Sequence, residues 1–385
     1  MPLGHLKHLV LITDKLPPAR DNIGAYTLNL ARSLDAAKQH VEIWSLGSTC
    51  SSTTDISCNS LANLPLNLTK LYNIVRNVRK QRHYIVLWQY NPYMYGWKGL
   101  PSSLCLLPLF LKLKSTCLVG IVFHEICYDF KRNPRSWAWA VSHRAALWLV
   151  LIGTDVAIVT TESRKVFLAS FARRFAPWMA ERLRCATVPV GSNISVEVHS
   201  TQSQTRRVFK IGTFRAGLSV HDVDLLKWVC NQLEHTRAGV QLVFVGGDTQ
   251  KGLPQGHNGG EPGIVETGYL AAEEVSSVLS SLDVFVGLYD DGACGRRTSL
   301  AAACAHGLPI VSTNGHNTDR SLFRDGDNCI LIRYGDAAGL RVALQRLVDD
   351  VELRGQLAYR ARETYRTQMS WAVVADGILG ALHAS

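Results

Sequence analysis

The sequence predicts an α/β protein built from two doubly wound, parallel-sheet domains facing each other across a cleft. Short β-branched or leucine-rich runs alternate with longer helical patterns, as in βα units that feed a parallel sheet. The alternation halts in a polar stretch, Ser195 to Gln204, and then restarts. The length of 385 residues, 47% hydrophobic and 19% charged, suits two cores and excludes a disordered or fibrous chain.

In the first half, strands are expected at His8–Thr13, Val41–Ser45, Tyr84–Trp88, Cys117–Phe123, Asp155–Thr160 and Cys185–Val190. Helices are expected near Ala25–Ala37, Leu66–Gln81, Arg135–Ile152 and Ser163–Phe171. In the second half, strands are expected at Val208–Thr213, Gln241–Val245, Ile264–Thr267, Val284–Gly287, Pro309–Val311 and Cys329–Leu331. The helices between them fall near Val223–Glu234, Ala272–Ser280, Arg296–Ala305, Ala337–Asp349 and Val351–Thr367. The predicted division is residues 1–195 as a first domain, 196–207 as a linker, 208–368 as a second domain and 369–385 as a terminal helix crossing back to the first. Ligands of such sheets sit outside the carboxyl ends of the strands, so functional residues should follow strands.

The formal charge of +10 is unevenly spread. Residues 1–195 carry 23 Lys+Arg and 10 Asp+Glu, whereas residues 196–385 carry 18 and 21. The basic first half favours an anionic partner such as a lipid surface or a phosphorylated acceptor. No nucleic-acid module accompanies it, so no nucleic-acid partner is expected. The ten cysteines show no C-x-x-C pair and no metal-ligand spacing, so they are expected to be reduced thiols of a cytoplasmic protein. The start does not look like a signal peptide. The apolar stretches near Leu104–Phe123 and Ala145–Thr160 are broken by Lys112, Lys114 and Asp155, so no membrane-spanning helix is expected.

Several strand ends carry candidate chemistry. Gly295-Arg296-Arg297-Thr298 precedes a predicted helix, where backbone N–H groups and fixed positive charge suit a diphosphate. Gly24 follows the first strand, and a bare backbone there would admit a phosphate or sugar. His124 and Glu125 end a strand and can hydrogen-bond a hydroxyl. The segment Gln89-Tyr90-Asn91-Pro92-Tyr93 is dense in amides and phenols that suit a sugar or aglycone, and Glu162, after the strand Asp155–Thr160, is a third strand-end candidate. Gly246, Gly247, Thr267, Gly268, Tyr269 and Leu270 end or follow two predicted strands of the second domain, where backbone groups and apolar packing can hold a ligand.

The run Ala293-Cys-Gly-Arg-Arg-Thr-Ser-Leu-Ala-Ala-Ala-Cys-Ala-His-Gly-Leu-Pro-Ile-Val-Ser-Thr313 resembles the donor-binding segment of glycosyltransferase family 4, which has the GT-B fold. Other pieces follow in the family's order: the glycine loop Arg20-Asp-Asn-Ile-Gly-Ala-Tyr-Thr27, the strand Val208–Arg215, Val245-Gly246-Gly247, Thr267-Gly268-Tyr269-Leu270, Asp325-Gly326-Asp327-Asn328 and Ser370-Trp371. The resemblance implies two Rossmann-like domains and transfer of a sugar from a nucleoside-diphosphate sugar to an acceptor hydroxyl. It also implies retention of configuration and no metal or cofactor, in agreement with the lack of an Asp-x-Asp motif.

The sequence departs from the family pattern at the usual pair of glutamates, where Cys294 and Ala302 stand. Asp290 and Asp291 lie just upstream as candidate replacements, and Arg215 can stand in for the phosphate-neutralising residues that are out of register after Gly212. The acceptor is expected to be a small molecule, a glycan or a lipid-linked glycan, with a peripheral position at the inner face of the membrane as a further reading. A GT-B epimerase or phosphorylase, or an inactive sugar-nucleotide binding protein, remain alternatives.

Overall fold

A computed structural model of the chain describes residues 8–19, 21–47, 55–64, 67–80, 84–94, 100–130, 133–196, 208–214, 218–234, 239–246 and 263–384. Two compact units emerge. One comprises Met1–Pro189 with Trp371–Ser385, and the other Val190–Ser370. Of the expected linker, 197–207 lies outside the described residues.

The first unit runs β1 (His8–Thr13), α1 (Asn22–Ala36), β2 (Val41–Ser45), β3 (Ser57–Ser60), α2 (Asn67–Lys80), β4 (Tyr84–Tyr90), a 3₁₀ turn at Ser103–Leu106, α3 (Leu107–Lys114), β5 (Leu118–Phe123), α4 (Pro134–Ile152), β6 (Val156–Val159), α5 (Glu162–Phe175), α6 (Pro177–Ala180) and β7 (Arg184–Thr187). Its strands lie in the order β3-β2-β1-β4-β5-β6-β7, all parallel. The order reverses between β1 and β4, so the loops after these two strands diverge and leave a crevice. Both faces of the sheet must be covered, and the strands accordingly read as near-continuous apolar runs; β4 is buried at every position.

Val10, Ile12, Val86, Trp88 and Tyr90 face a core shared with α2, α3, α4 and α5. The helix on the other face, α1, packs against the terminal helix α12 introduced below.

The second unit contains β8 (Phe209–Phe214), α7 (Val220–Glu234), β9 (Val240–Val245), β10 (Ile264–Glu266), α8 (Ala272–Ser280), β11 (Val284–Gly287), α9 (Thr298–Ala305), β12 (Ile310–Asn314), β13 (Ile330–Arg333), α10 (Ala337–Asp349) and α11 (Val351–Thr364). Its order, β10-β9-β8-β11-β12-β13, is again wholly parallel and reverses between β8 and β11. A π-helical turn at Tyr365–Met369 ends this unit, and α12 (Trp371–His383) belongs to the first, against α1, β6 and β7.

Two elements differ from expectation. The edge strand β3, Ser-Cys-Asn-Ser, is largely exposed and has neither apolar alternation nor β-branched residues, so only pairing with β2 reveals it. The stretch before β5 folds as the 3₁₀ turn plus α3, with Pro108 in its first turn. The cysteines also require a correction: among the described residues eight are free thiols, but Cys58 on β3 is disulfide-bonded. Among the described residues no helix is long and apolar enough to cross a membrane, and no group of His, Cys, Asp and Glu could hold a metal ion.

Candidate functional site

In the second unit the loop after β11, at the reversal of strand order, is fastened by side chains from β12. The Thr313 hydroxyl accepts from the Tyr289 amide at 2.9 Å and donates to the Tyr289 carbonyl, while Ser312 donates to the Gly287 carbonyl at 2.7 Å. Gly292 has φ of +104°, and a Cβ there would stand 2.7 Å from the Gly315 nitrogen. Two backbones therefore touch at a point where any side chain would separate them.

This frame holds an ionic hub. Asp291 is buried, and its two carboxylate oxygens accept from the Arg296 and Arg297 guanidiniums, with Asn317 donating at 3.2 Å. Burial opposes ionisation of Asp291, but the two arginines outweigh it and hold its carboxyl below the usual value. Both guanidiniums thus converge on one carboxylate. Arg297 also lies over the Tyr289 ring at 4.3 Å, the Tyr289 hydroxyl pairs with Ser299 at 2.7 Å, and the buried Arg297 Nε has no protein partner among the described residues.

Helix α9 begins at Thr298 directly after this hub, and no side chain caps it. Its first N–H groups and its dipole therefore add positive potential where the arginines already supply charge. Gly295 is buried, with its carbonyl accepting from Val190 at 2.8 Å. The geometry thus joins Asp291, Gly295, Arg296, Arg297 and Thr298 in one place. It changes the expected part of Asp291, whose carboxylate is engaged by arginines rather than left open for hydroxyls. Cys294 is fully buried, so its thiol presents no surface to a ligand.

The ends of β9 and β10 meet nearby in the same sheet. Gly246, at φ +72°, donates to the Thr267 hydroxyl at 3.1 Å, and Thr267 donates in turn to the Gly268 carbonyl at 3.0 Å. Gly268 has φ of +63° with open space where a Cβ would be; Tyr269 is exposed and Leu270 packs on the core. Arg215 and Gly247 lie outside the described residues.

The first unit places a neutral cluster at its own strand ends. His124, just past β5, hydrogen-bonds the fully buried Gln89 of β4 at 2.8 Å through Nε2 and meets Tyr26 edge-on at 4.8 Å. Tyr26 in turn meets Trp371 at 5.1 Å. Desolvation in this surround, helped by the charge of Arg164, brings the His124 pKa down to about 3, so the imidazole is neutral at physiological pH. It is suited to hydrogen bonding rather than to general-base work. Arg164, on the first turn of α5, ties the loop together by donating to the His124 carbonyl at 2.6 Å and to the Glu125 carboxylate. Sequence reading missed Arg164 because it follows a different strand, β6; its position two residues into a predicted helix was the only available signal.

Three expected residues take other parts. Gly24 lies in the first turn of α1, where a Cβ would stand 2.1 Å from the Lys15 carbonyl oxygen, so its bareness serves helix-to-loop packing. The glycine is therefore required by packing, where the sequence suggested room for a phosphate or sugar. Tyr90 is a core residue, 1% exposed and edge-on to Trp88 and Phe123, and cannot reach an acceptor. Glu162 accepts from Thr187 at 2.7 Å, which joins α5 to β7, and pairs with Lys165 of its own helix at 3.0 Å; both partners lower its pKa. Asn91 turns the chain by accepting from the Tyr93 amide at 3.0 Å, and Tyr93 is half exposed, edge-on to His143 at 5.0 Å.

The chain is similar to known glycosyltransferases in part of its sequence and in its fold. Residues 206–350 match the family profile described as glycosyl transferases group 1. A lipopolysaccharide core biosynthesis glycosyltransferase, LpsE of Rhizobium meliloti, is 32% identical over 107 residues; the match spans 28% of this chain and 31% of that relative. The fold is that of GT-B structures. HepE of Anabaena, crystallised with UDP and glucose, superposes with a TM-score of 0.70 at 14% identity over 99% of this chain and 100% of its own. WaaG, a glycosyltransferase involved in lipopolysaccharide biosynthesis, superposes at 0.63 with 15% identity, covering 98% and 100%.

Proposed function

We propose that this protein is a glycosyltransferase that binds a nucleoside-diphosphate sugar on its second unit and transfers the sugar to a hydroxyl of a glycan or lipid-linked glycan. The observation that carries the reading is the Asp291–Arg296–Arg297 hub at the uncapped start of α9. A diphosphate bound there meets two guanidiniums of fixed orientation and the N-terminal amides of a helix, without having to order any of them. The same groups stabilise the charge that grows on the leaving diphosphate as the glycosidic bond breaks. Gly246 and the Thr267–Leu270 loop suit the base, held through backbone groups and the Leu270 side chain.

The acceptor side is assigned to Asn91, Tyr93, His124 and Glu125. Neutral His124 donates or accepts a hydrogen bond to a sugar or acceptor hydroxyl, while Arg164 and Gln89 position it. The reading includes retention of configuration, with the departing phosphate taking the acceptor proton, and neither metal nor cofactor. The relatives acting in lipopolysaccharide synthesis support a glycan acceptor of that class.

A second reading, nucleotide-sugar binding without transfer, is favoured by the buried Cys294 and Ala302 where the family carries glutamates. A screen of nucleoside diphosphates and their sugars by thermal shift should find a stabilising donor. Incubation of that donor with and without a glycan acceptor then decides: product only with acceptor supports transfer, conversion of donor alone supports an epimerase, and binding with no turnover supports the second reading.

A further inference from the structure

Helix α2 is apolar over a wider arc than its place in the fold requires. Leu71, Ile74 and Val78 form the stripe buried against the sheet, at 4%, 0% and 0% exposure. Leu68, Tyr72 and Val75 form a second stripe farther round the helix, with Leu68 62% and Tyr72 64% exposed. The neighbouring helix α3 presents Phe110 to the same space, and between the two helices lies a groove of about 600 Å³ with an apolar floor. That volume is in the range of small-molecule sites.

The rim of the groove is cationic, formed by Arg76, Arg79 and Lys114. Other basic residues of this layer have partners: Lys112 pairs with Asp155 at 2.7 Å, Lys70 donates to the Leu46 carbonyl at 2.6 Å, and Arg144 donates to the carbonyls of Tyr128 and Ala140. Among the described residues Arg76, Arg79 and Lys114 have no carboxylate partner, and α2, α3 and α4 contain neither Asp nor Glu. The layer continues with Trp137 and Val141 exposed on α4. An apolar floor wants a hydrocarbon chain and an unmatched basic rim wants an anion, so the complementary ligand is an anionic amphiphile.

We infer that the groove between α2 and α3 is a binding site for an anionic phospholipid of a bilayer surface, one acyl chain lying along Leu68, Tyr72 and Phe110 and the phosphate facing Arg76, Arg79 and Lys114. The site is separate from the strand-end loops assigned to transfer, so it stands whether or not that reaction is confirmed. Full-length protein should sediment with phosphatidylcholine vesicles containing phosphatidylglycerol, remain in solution with pure phosphatidylcholine, and be released by salt.

The double variant Arg76→Glu/Arg79→Glu should weaken vesicle binding on the order of thirtyfold or more, since each basic residue lost at the surface removes a comparable increment. Leu68→Asp/Tyr72→Asp should abolish it. Both pairs of residues are exposed, so melting temperature and nucleoside-diphosphate affinity should not change. Phosphatidylglycerol with a photoactivatable acyl chain should label peptides from α2 and α3. Equal binding to both kinds of vesicle, undiminished binding by the variants, or labelling confined to other helices would overturn the inference. So would self-association that the same variants abolish, in the absence of vesicle binding, because the groove would then belong to a second copy.

Discussion

The two units share one topology but hold opposite chemistry at the point where their strand order reverses. In the second unit the loop after β11 carries a carboxylate and two guanidiniums, pinned by β12 and followed by an uncapped helix. In the first, the groups past β4 and β5 centre on a neutral imidazole bonded to an amide and surrounded by aromatic rings. A fixed cationic hub discriminates strongly for phosphate and weakly among hydroxyls; a neutral hydrogen-bonding cluster does the reverse. The architecture sets where a ligand binds, and the residues on each loop set which part of the substrate binds there.

The largest effect that could break this contrast is expected from Arg296→Ala/Arg297→Ala. Losing two charge-assisted contacts should weaken nucleoside-diphosphate binding on the order of 10³-fold by calorimetry. Unchanged affinity would remove the phosphate assignment from the second unit.

Next comes Gly24→Val, which probes the first unit's packing rather than its chemistry. Overpacking against the Lys15 carbonyl should cost about 3 kcal/mol and lower the melting temperature of that unit by roughly 6–12 °C. Nucleoside-diphosphate affinity should stay as it was. A variant that melts normally but no longer turns over would return Gly24 to the active site.

His124→Ala should reduce turnover roughly tenfold to a hundredfold, the cost of one lost hydrogen bond and a stranded buried amide. Because the folded pKa is about 3 and the free value 6.5, the unfolded chain takes up this proton first as pH falls. His124 therefore costs stability progressively from pH 6.5 down to about 3, and His124→Gln should flatten that part of the stability curve. Wild-type turnover should show no ionisation of this group near neutrality; a pH–rate step near 6.5 that vanishes in His124→Gln would contradict a neutral role.

The smallest effect is expected at Asp291. Its depressed pKa means that its ion pairs contribute stability above the free carboxylate value of 3.8, and that this is lost as pH drops through the lower folded value. Asp291→Asn should lack that acid-range loss in a denaturant titration. An identical acid profile in wild type and variant would show that the hub does not depend on the charge of Asp291.

Much of this was legible in the residues alone. Apolar runs of strand length, spaced by helical patterns, located twelve of the thirteen strands, because a strand covered on both faces has to be apolar throughout. The run from Ala293 to Thr313, with its glycine, arginines and small residues, marked the loop and helix start where Arg296 and Arg297 gather on Asp291. The exposed edge strand β3 escaped because pairing with β2, not side-chain burial, creates it.

Tertiary structure alone decided what depends on partners distant in the chain. That Asp291 serves its neighbouring arginines, that Tyr90 points into the core while Gln89 points to His124, and that Gly24 makes room for a carbonyl all follow from which face of a strand or helix meets which neighbour. Local sequence specifies the alternation of faces and the type of each residue. Which face is buried, and which charges end within hydrogen-bonding reach, depends on contacts that exist only when the sheet has closed against its helices.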